Sequence, residues 1–477
     1  MEYLDPNYSK KHTRMLFLGY ALIGILIIMV TTLFVLESQG YYINQGQIIQ
    51  NSLVVTDSSP GSARVYVDGI QDGETAKRLK VPEGEHNIEI IKDGYRRWNK
   101  TLNFIGGKVE YLSYPLLIPN RLEPVQLETY QLIPEIYHNS NAKQIAIVEE
   151  LETGTAQLSL VKDYDFQNTE IISITQDQSG AGISIVDWAE DLMLVLVESD
   201  TSKEYVVIDI SDNNQVNTIE LRARAEPKQL SVATDNSLFI LYDDGQLHLA
   251  DVGQEAAPSS VLATDVDSYD NNKDKLLYTR HSTAADSEED IISTSVYMLE
   301  DLVEYTLLEV SGPAGLPHIM ISEYDGDDYV SVVSADDGRI RIYKNPLQAL
   351  AVDASPEIVS NAPLSGVSKL GLSVNNRSIL AIHEGGQFIF DLRDALPFRA
   401  QLPAVNLDTV MWVGDHHLAA VDSNNQLVMW EFDGKNQVVL GEYGQHSLLF
   451  EHDREFFISL KPLGSGTVLE MIDLSPI

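Results

Sequence analysis

From Met15 to Leu36 the chain runs 22 residues without a charge, in a sequence that is otherwise acidic and polar. At ~1.5 Å rise per residue such a run reaches ~33 Å as a helix, enough to cross a hydrocarbon core. Lys10, Lys11 and Arg14 stand just before it, and Glu37 is the first charge after it. Positive flanks stay in the cytoplasm, so residues 1–14 are expected inside, 15–36 in the bilayer, and 37–477 outside. A cleaved signal peptide is the competing reading. Its apolar region would span ~7–15 residues and end in small residues, whereas Leu36-Glu37-Ser38-Gln39-Gly40 offers no such site. Gly19 and Gly24 are five apart, so no GxxxG helix-pairing motif is present.

Charge narrows the function classes. The chain holds 71 acidic and 32 basic residues. The part after the apolar run keeps 69 and 29 of these, a net charge of about −40. Such a field repels nucleic acid and anionic headgroups and suits cationic partners or plain solubility. Cysteine is absent. That excludes disulfides, thiol nucleophiles, thiolate metal sites and a cysteine-borne lipid anchor, so the exported part must stand on its own core.

Residues 37–51 read as a polar linker. Beyond it, short apolar strands alternate with glycine turns. The groups are Ser59-Pro60-Gly61-Ser62-Ala63-Arg64-Val65-Tyr66-Val67-Asp68-Gly69, then Gly73-Glu74-Thr75, Pro82-Glu83-Gly84, and Lys92-Asp93-Gly94-Tyr95. Each glycine stands where a tight turn needs positive φ. In this order the groups resemble a PEGA domain, here bounded at 52–120. Glu85 stands where alanine is usual, and Thr75-Ala76 replaces a common threonine-proline pair; neither change disturbs a turn. The resemblance implies a small β-sandwich-like module of exported and membrane-anchored proteins, without catalytic residues. Asp68 and Asp93 are expected to be turn residues, not ligands.

From Val125 the rhythm changes to apolar runs of five to seven residues between polar turns, an all-β pattern. Two sets of turns recur, each eight times and about 40–50 residues apart. One runs from Asn139-Ser140-Asn141 through Asp270-Asn271-Asn272 to His452-Asp453-Arg454. The other runs from Glu152-Thr153-Gly154 to Gly464-Ser465-Gly466. In the clearest copy the strands are Thr409–Val413, Leu418–Val421, Leu427–Phe432 and Val438–Glu442. Four-stranded units at this period resemble a β-propeller over 125–477, with eight blades expected and seven as the alternative. The last unit lacks a fourth strand after Val468–Leu474. Residues 125–132 precede the first unit without a partner and are expected to close the ring. Trp188, Trp412 and Trp430 form no Trp-Asp pairs, and no quinoprotein blade signature appears, so no propeller subfamily is implied.

Motifs for chemistry are weak. Asp265, Asp267, Asp270 and Asp274 are spaced like part of a calcium loop, but the glycine and distal glutamate of an EF-hand are missing. Asp325, Asp327 and Asp328 around Gly326 read as a solvated hairpin turn. His416 and His417 are adjacent and would point to opposite faces of a strand. His281, His318, His383, His446 and His452 lack metal-ligand spacing. No phosphate loop, dinucleotide fingerprint or nucleophile elbow is present. The stretch 281–290 (HSTAADSEED) is the longest insertion in the repeats; it reads as a disordered acidic loop or as a binding loop.

The expected protein is mainly β: a single transmembrane helix, a PEGA-like β-sandwich, then an acidic β-propeller outside the cell membrane. No catalytic residue, cofactor or metal is expected. The expected function is non-enzymatic, a platform for a protein or surface-polymer partner. The alternatives are a glycan-acting enzyme using funnel carboxylates and a self-associating structural component.

Overall fold

The structure is a computed structural model. It describes residues 6–474 except 39, 45–46, 140–142, 152–155, 173, 175–181, 190, 200–201, 212–214, 219–226, 234–236, 252–259, 273–274, 284–290, 301, 312–316, 335–336, 443–445, 452–454 and 465. The chain divides into two compact units, one N-terminal up to Arg121 and one spanning Leu122–Asp473.

The first unit opens with helix α1, Pro6–Ser38. Within it His12–Ser38 has a mean hydropathy of 2.5 and is long and apolar enough to cross a membrane. A polar side chain inside the run finds its partner locally, as an apolar medium requires: the Thr32 hydroxyl donates to the Ile28 carbonyl at 2.8 Å. The helix ends at Gly40, whose φ of +82° lets its N–H return to the Glu37 carbonyl at 3.0 Å.

Eight strands follow: β1 Tyr41–Asn44, β2 Gln47–Thr56, β3 Arg64–Val67, β4 Ile70–Glu74, β5 Lys77–Pro82, β6 Gly84–Ile91, β7 Trp98–Phe104 and β8 Val109–Leu112. They make two sheets. In one, β1 pairs with the first half of β2, while β5 and parallel β8 flank its second half; the other has the order β4-β3-β6-β7. Alternation puts Val54, Leu79 and Leu112 of the first sheet against Val65, Ile88 and Trp98 of the second, in one buried core. The module is a β-sandwich.

Three local expectations are corrected. Residues 41–51 are not a linker but β1 and the start of β2; the β-branched Ile43, Ile48 and Ile49 favour extended backbone that can pair. Gly73-Glu74-Thr75 is not mere connection, because Gly73 and Glu74 end strand β4. Gly61 does not take positive φ; Ser62 does, at +57°. Thr75 has a specific task there. Its buried hydroxyl accepts the Ala63 N–H at 3.0 Å and lies 3.0 Å from the Ser58 hydroxyl, closing the arch between β2 and β3.

In the second unit, eight four-stranded antiparallel sheets follow one another among the described residues. Numbered I to VIII, they span 135–172, 182–218, 227–263, 268–311, 318–363, 367–400, 411–442 and 446–473. Within sheets I to VII, strands pair in chain order. Sheet VII has Met411–Val413, His417–Val421, Gln426–Glu431 and Val438–Glu442, within two residues of the strands expected from sequence. Middle strands read as unbroken apolar runs because each sheet is covered on both faces. Ser237–Tyr242 of sheet III and Gly386–Asp391 of sheet VI are buried at every position.

The covering is mutual. One cluster joins Leu158 and Leu160 of sheet I to Val195 and Val206 of sheet II, and others repeat this around the series. The series closes: Ile145 and Ile147 of sheet I pack with Phe456, Ile458 and Leu469 of sheet VIII. A further strand, β9 (Val125–Tyr130), pairs antiparallel with Gly466–Asp473 and gives sheet VIII its fourth strand. Gly466 is needed for this. A Cβ there would stand 2.6 Å from the Tyr130 carbonyl oxygen. The unit is a β-propeller with no open sheet edge at its seam.

One expected turn is not a turn. Asp270-Asn271-Asn272 lies in the first strand of sheet IV, Ser268–Asn272. The Asp270 and Asn271 side chains have partners on neighbouring sheets, so they need no solvent.

Candidate functional site

The acidic run of sheet IV and the insertion that follows are the strongest sequence candidates, and the fold brings Asp265, Asp267 and His281 to one end of that sheet. The turn 264–267 enters its first strand, and Lys275–Thr283 leads into 284–290. Asp265 adopts a left-handed φ of +58°, and the next residue, Val266, donates its N–H to the Gly245 carbonyl at 2.9 Å. Asp267 holds His281: Oδ1 lies 2.6 Å from Nδ1, and the Asp267 side chain is 12% exposed against 36% for His281. The engaged Nδ1 leaves Nε2 as the imidazole's presented nitrogen. Asp267 Oδ2 and Thr294 Oγ1 are buried without a hydrogen-bond partner among the described residues. Thr294 is the cross-strand neighbour of His281.

Two cations are fixed beside this pair. Lys228 Nζ donates to the Asp267 carbonyl at 2.7 Å. Arg280 donates from Nε to the Thr264 carbonyl at 2.8 Å and lies 2.9 Å from the Glu304 carboxylate. Its guanidinium stands 4.8 Å from the Tyr297 ring centre and 5.0 Å from that of Tyr278, and the two rings stack. Arg280 and His281 are consecutive on one strand and point to opposite faces, so the Arg280 charge, balanced by Glu304, stands apart from the oriented imidazole. His281 begins the candidate insertion; residues 284–290 lie outside the described residues.

Among its described residues the same acidic run does not gather into a cation site. Asp270 is turned toward sheet V, where Oδ2 accepts the Ile321 N–H at 2.8 Å. Asp274 lies outside the described residues. Among the described residues no group of three His, Asp or Glu side chains is placed to hold a metal ion.

Asp270 belongs to a polar seam linking first strands. On sheet II, Asp187 Oδ2 accepts the Val232 N–H of sheet III at 2.7 Å, and Oδ1 accepts the Trp188 N–H at 2.9 Å. On sheet III, the Ser231 hydroxyl lies 3.0 Å from the Tyr269 hydroxyl and donates to Asn271 Oδ1 at 2.9 Å. Burial raises the pKa of Asp187 and pushes Asp270 up to about 6. Sequence reasoning passed over Asp187, although an acid inside the apolar run ISIVDWA was the available signal.

Asp270 gives a pH prediction. Its folded pKa is raised, so its contribution is full below the unfolded value near 3.8 and is lost as pH rises through about 6. Asp270→Asn keeps an acceptor for the Ile321 N–H and removes the buried charge. Urea unfolding at pH 7 is expected to show it as stable as the parent or more so, by up to about 3 kcal/mol. Its advantage should vanish near pH 4. Asp270→Ala instead orphans the N–H and costs on the order of 1–3 kcal/mol. An Asn variant with the parent's pH profile would refute the buried charge.

The remaining candidates are structural. Asp325 and Gly326, with φ of +52° and +78°, form a two-residue hairpin turn. Asp327 pairs with Lys344 at 2.7 Å, and Asp328 with Lys275 at 2.5 Å. His417 is buried in its strand, while His416 sits in the preceding turn, its pKa pushed down to about 4 by burial and then by Arg377. His383 is also lowered by burial, and its Nδ1 accepts the Gly385 N–H at 3.1 Å. His318 is exposed on its strand. The side chain of His446, and all of His452, fall outside the described residues. In the sandwich, Asp68 takes a turn φ of +49°, binds His86 at 2.6 Å and accepts the Asn87 N–H at 2.9 Å; these bonds hold its carboxyl below the usual range. Asp93 pairs with Arg64 at 2.5 Å. Glu149 is raised by burial and then by the charge of Glu128 on β9.

The PEGA domain family model matches residues 51–117. No curated protein matches the chain. Among solved structures, an oligogalacturonate lyase in complex with manganese is 12% identical with a TM-score of 0.42, covering 74% of this chain and 98% of its own. The Cps50 (Swd1) β-propeller domain of Myceliophteria thermophila is 11% identical with a TM-score of 0.38, covering 73% and 99%. Apo AztD from Citrobacter koseri is 10% identical with a TM-score of 0.40, covering 76% and 93%. These likenesses concern the fold alone.

Proposed function

We propose that this chain, which contains a PEGA domain and a β-propeller, is a single-pass membrane-anchored binding platform of the cell envelope. The helix α1 is the anchor. Lys10, Lys11 and Arg14 hold its N-terminus in the cytoplasm, and the two β units stand outside. The PEGA domain lies between the anchor and the propeller in the chain. The propeller presents a rigid face to a protein or surface polymer and performs no chemistry.

One observation carries this reading. The acidic and histidine side chains that could have done chemistry are largely engaged in holding strands, turns and neighbouring sheets together. What remains presented is surface. The second unit carries 59 acidic and 19 basic residues from 122 to 477, which favours partners with cationic faces and disfavours polyanions.

In-cell crosslinking of the full chain, followed by identification of what is recovered, tests the proposal. A reproducible protein partner that disappears when 122–477 is removed is the expected result. Recovery of cleaved glycan would favour an enzyme. Self-crosslinks alone would leave the platform reading without support and favour a structural component.

A further inference from the structure

The two sheets of the PEGA sandwich present different outward faces. In β6 and β7 the outward positions include Asn87, Glu89, Asn99 and Thr101, and Arg97 pairs with Glu89 at 3.2 Å. That face is polar. In the other sheet, register aligns Leu53 of β2 with Lys80 of β5 and Val109 of β8, and Val55 with Arg78 and Tyr111. Buried positions alternate with these, so all six side chains point outward. Val109 is 50% and Tyr111 58% exposed. An aliphatic and aromatic stripe thus lies along β2 and β8, with two exposed cations beside it on β5.

The position of this sheet is constrained by the chain. Only two residues separate Ser38, the end of α1, from Tyr41, the start of β1. An extended chain spans at most about 11 Å over that step. The connection has no slack, because the Gly40 carbonyl accepts the Asn51 N–H at 2.9 Å. The same β2 that holds Gly40 carries Leu53 and Val55.

Charge separates the two units. Residues 37–121 hold ten acidic and ten basic side chains, so the net acidity of the chain lies wholly in residues 122–477. An anionic surface repels the second unit but not the first, and the cations of the first reach it within a Debye length of ~8 Å. Aliphatic and tyrosine side chains with flanking Lys and Arg suit the headgroup layer, where the stems bury and the charges meet phosphate.

We propose that the outward face of the β2–β5–β8 sheet lies against the headgroup layer of the membrane that α1 enters, with anionic lipid as its partner. This rests on the anchor reading of α1. The face holds the PEGA domain flat on the bilayer rather than leaving it to swing on a tether.

The chain has no cysteine, so single cysteines can be introduced and labelled with a fluorophore in the full-length protein. The probe membrane is a vesicle of phosphatidylcholine and phosphatidylglycerol, with nitroxide lipids placed at headgroup or acyl-chain depth. Labels at Val109→Cys and Tyr111→Cys are expected to be quenched by the headgroup nitroxide, and a label at Thr101→Cys on the opposite face is not. Arg78→Glu with Lys80→Glu is expected to abolish the Val109 signal, as is replacing phosphatidylglycerol with phosphatidylcholine. A label at Ile25→Cys controls the anchor. If acyl-chain nitroxide fails to quench it, the anchor reading itself falls. If Ile25 is quenched and Val109 is not, the face proposal alone is overturned. A Val109 label shielded from aqueous quencher yet untouched by lipid nitroxide also overturns it, and points to a protein covering the face.

Discussion

Trp430→Ala is expected to destabilise the propeller by about 3–5 kcal/mol. Trp430 is fully buried in the third strand of sheet VII, packed with Leu380, Ile382 and Ile389 of sheet VI. Its indole Nε1 donates to Gln387 Oε1 at 2.9 Å, and Gln387, itself fully buried, donates from Nε2 to the Phe432 carbonyl at 2.6 Å. Truncation therefore opens a cavity between two sheets and orphans a buried acceptor. Trp430→Phe separates the two effects. It keeps most of the ring volume and loses the donor, for an expected cost of about 1–3 kcal/mol. Urea unfolding followed by far-ultraviolet circular dichroism measures both. Equal losses in the two variants would show that packing contributes little and would count against the cavity argument.

The second large effect concerns closure. Replacing Val125–Tyr130 by a Gly-Ser segment of equal length removes β9 while keeping the chain length. The Gly466–Asp473 strand then loses its outer partner along the whole β9 register. Leu127 and Tyr130 also leave the cluster joining sheets VIII and I. Lost pairing at ~1 kcal/mol per hydrogen bond, together with lost burial, is expected to cost on the order of 5 kcal/mol, comparable with a domain's whole stability. Amide exchange should then show sheets VIII and I opening first, and light scattering should show association through the bared edge. Undiminished protection of Gly466–Asp473 would mean that the ring does not depend on β9.

Much of the architecture was legible because it follows from periodicity. A long apolar run without charge reads as a helix able to cross a membrane, and α1 is the result. Repeated apolar runs with turn residues between them gave four strands to a unit, and an unpartnered 125–132 implied a closing strand. The linker at 41–51 was misread because its polar composition hides β-branched residues that pair once β2 extends past them. The strand Ser268–Asn272 was misread for a related reason: Asp270 and Asn271 look like a turn until the neighbouring sheets supply their partners. The candidate site was legible only in pieces. Asp267 and His281 are 14 residues apart in sequence and 2.6 Å apart in space, and only strand register brings them together.

The sequence by itself determined the apolar helix, the PEGA sandwich, the all-β repeat and the acidity. Each of these is a local property, set by spacing or composition within one segment. Only the tertiary structure decided which acids are consumed. Asp187, Asp270, Asp327 and Asp328 are alike in sequence, yet two bind backbone on the next sheet and two pair with lysines. It also placed an apolar and cationic stripe on one face of a small module. Both outcomes depend on contacts between residues far apart in the chain, which no local pattern encodes.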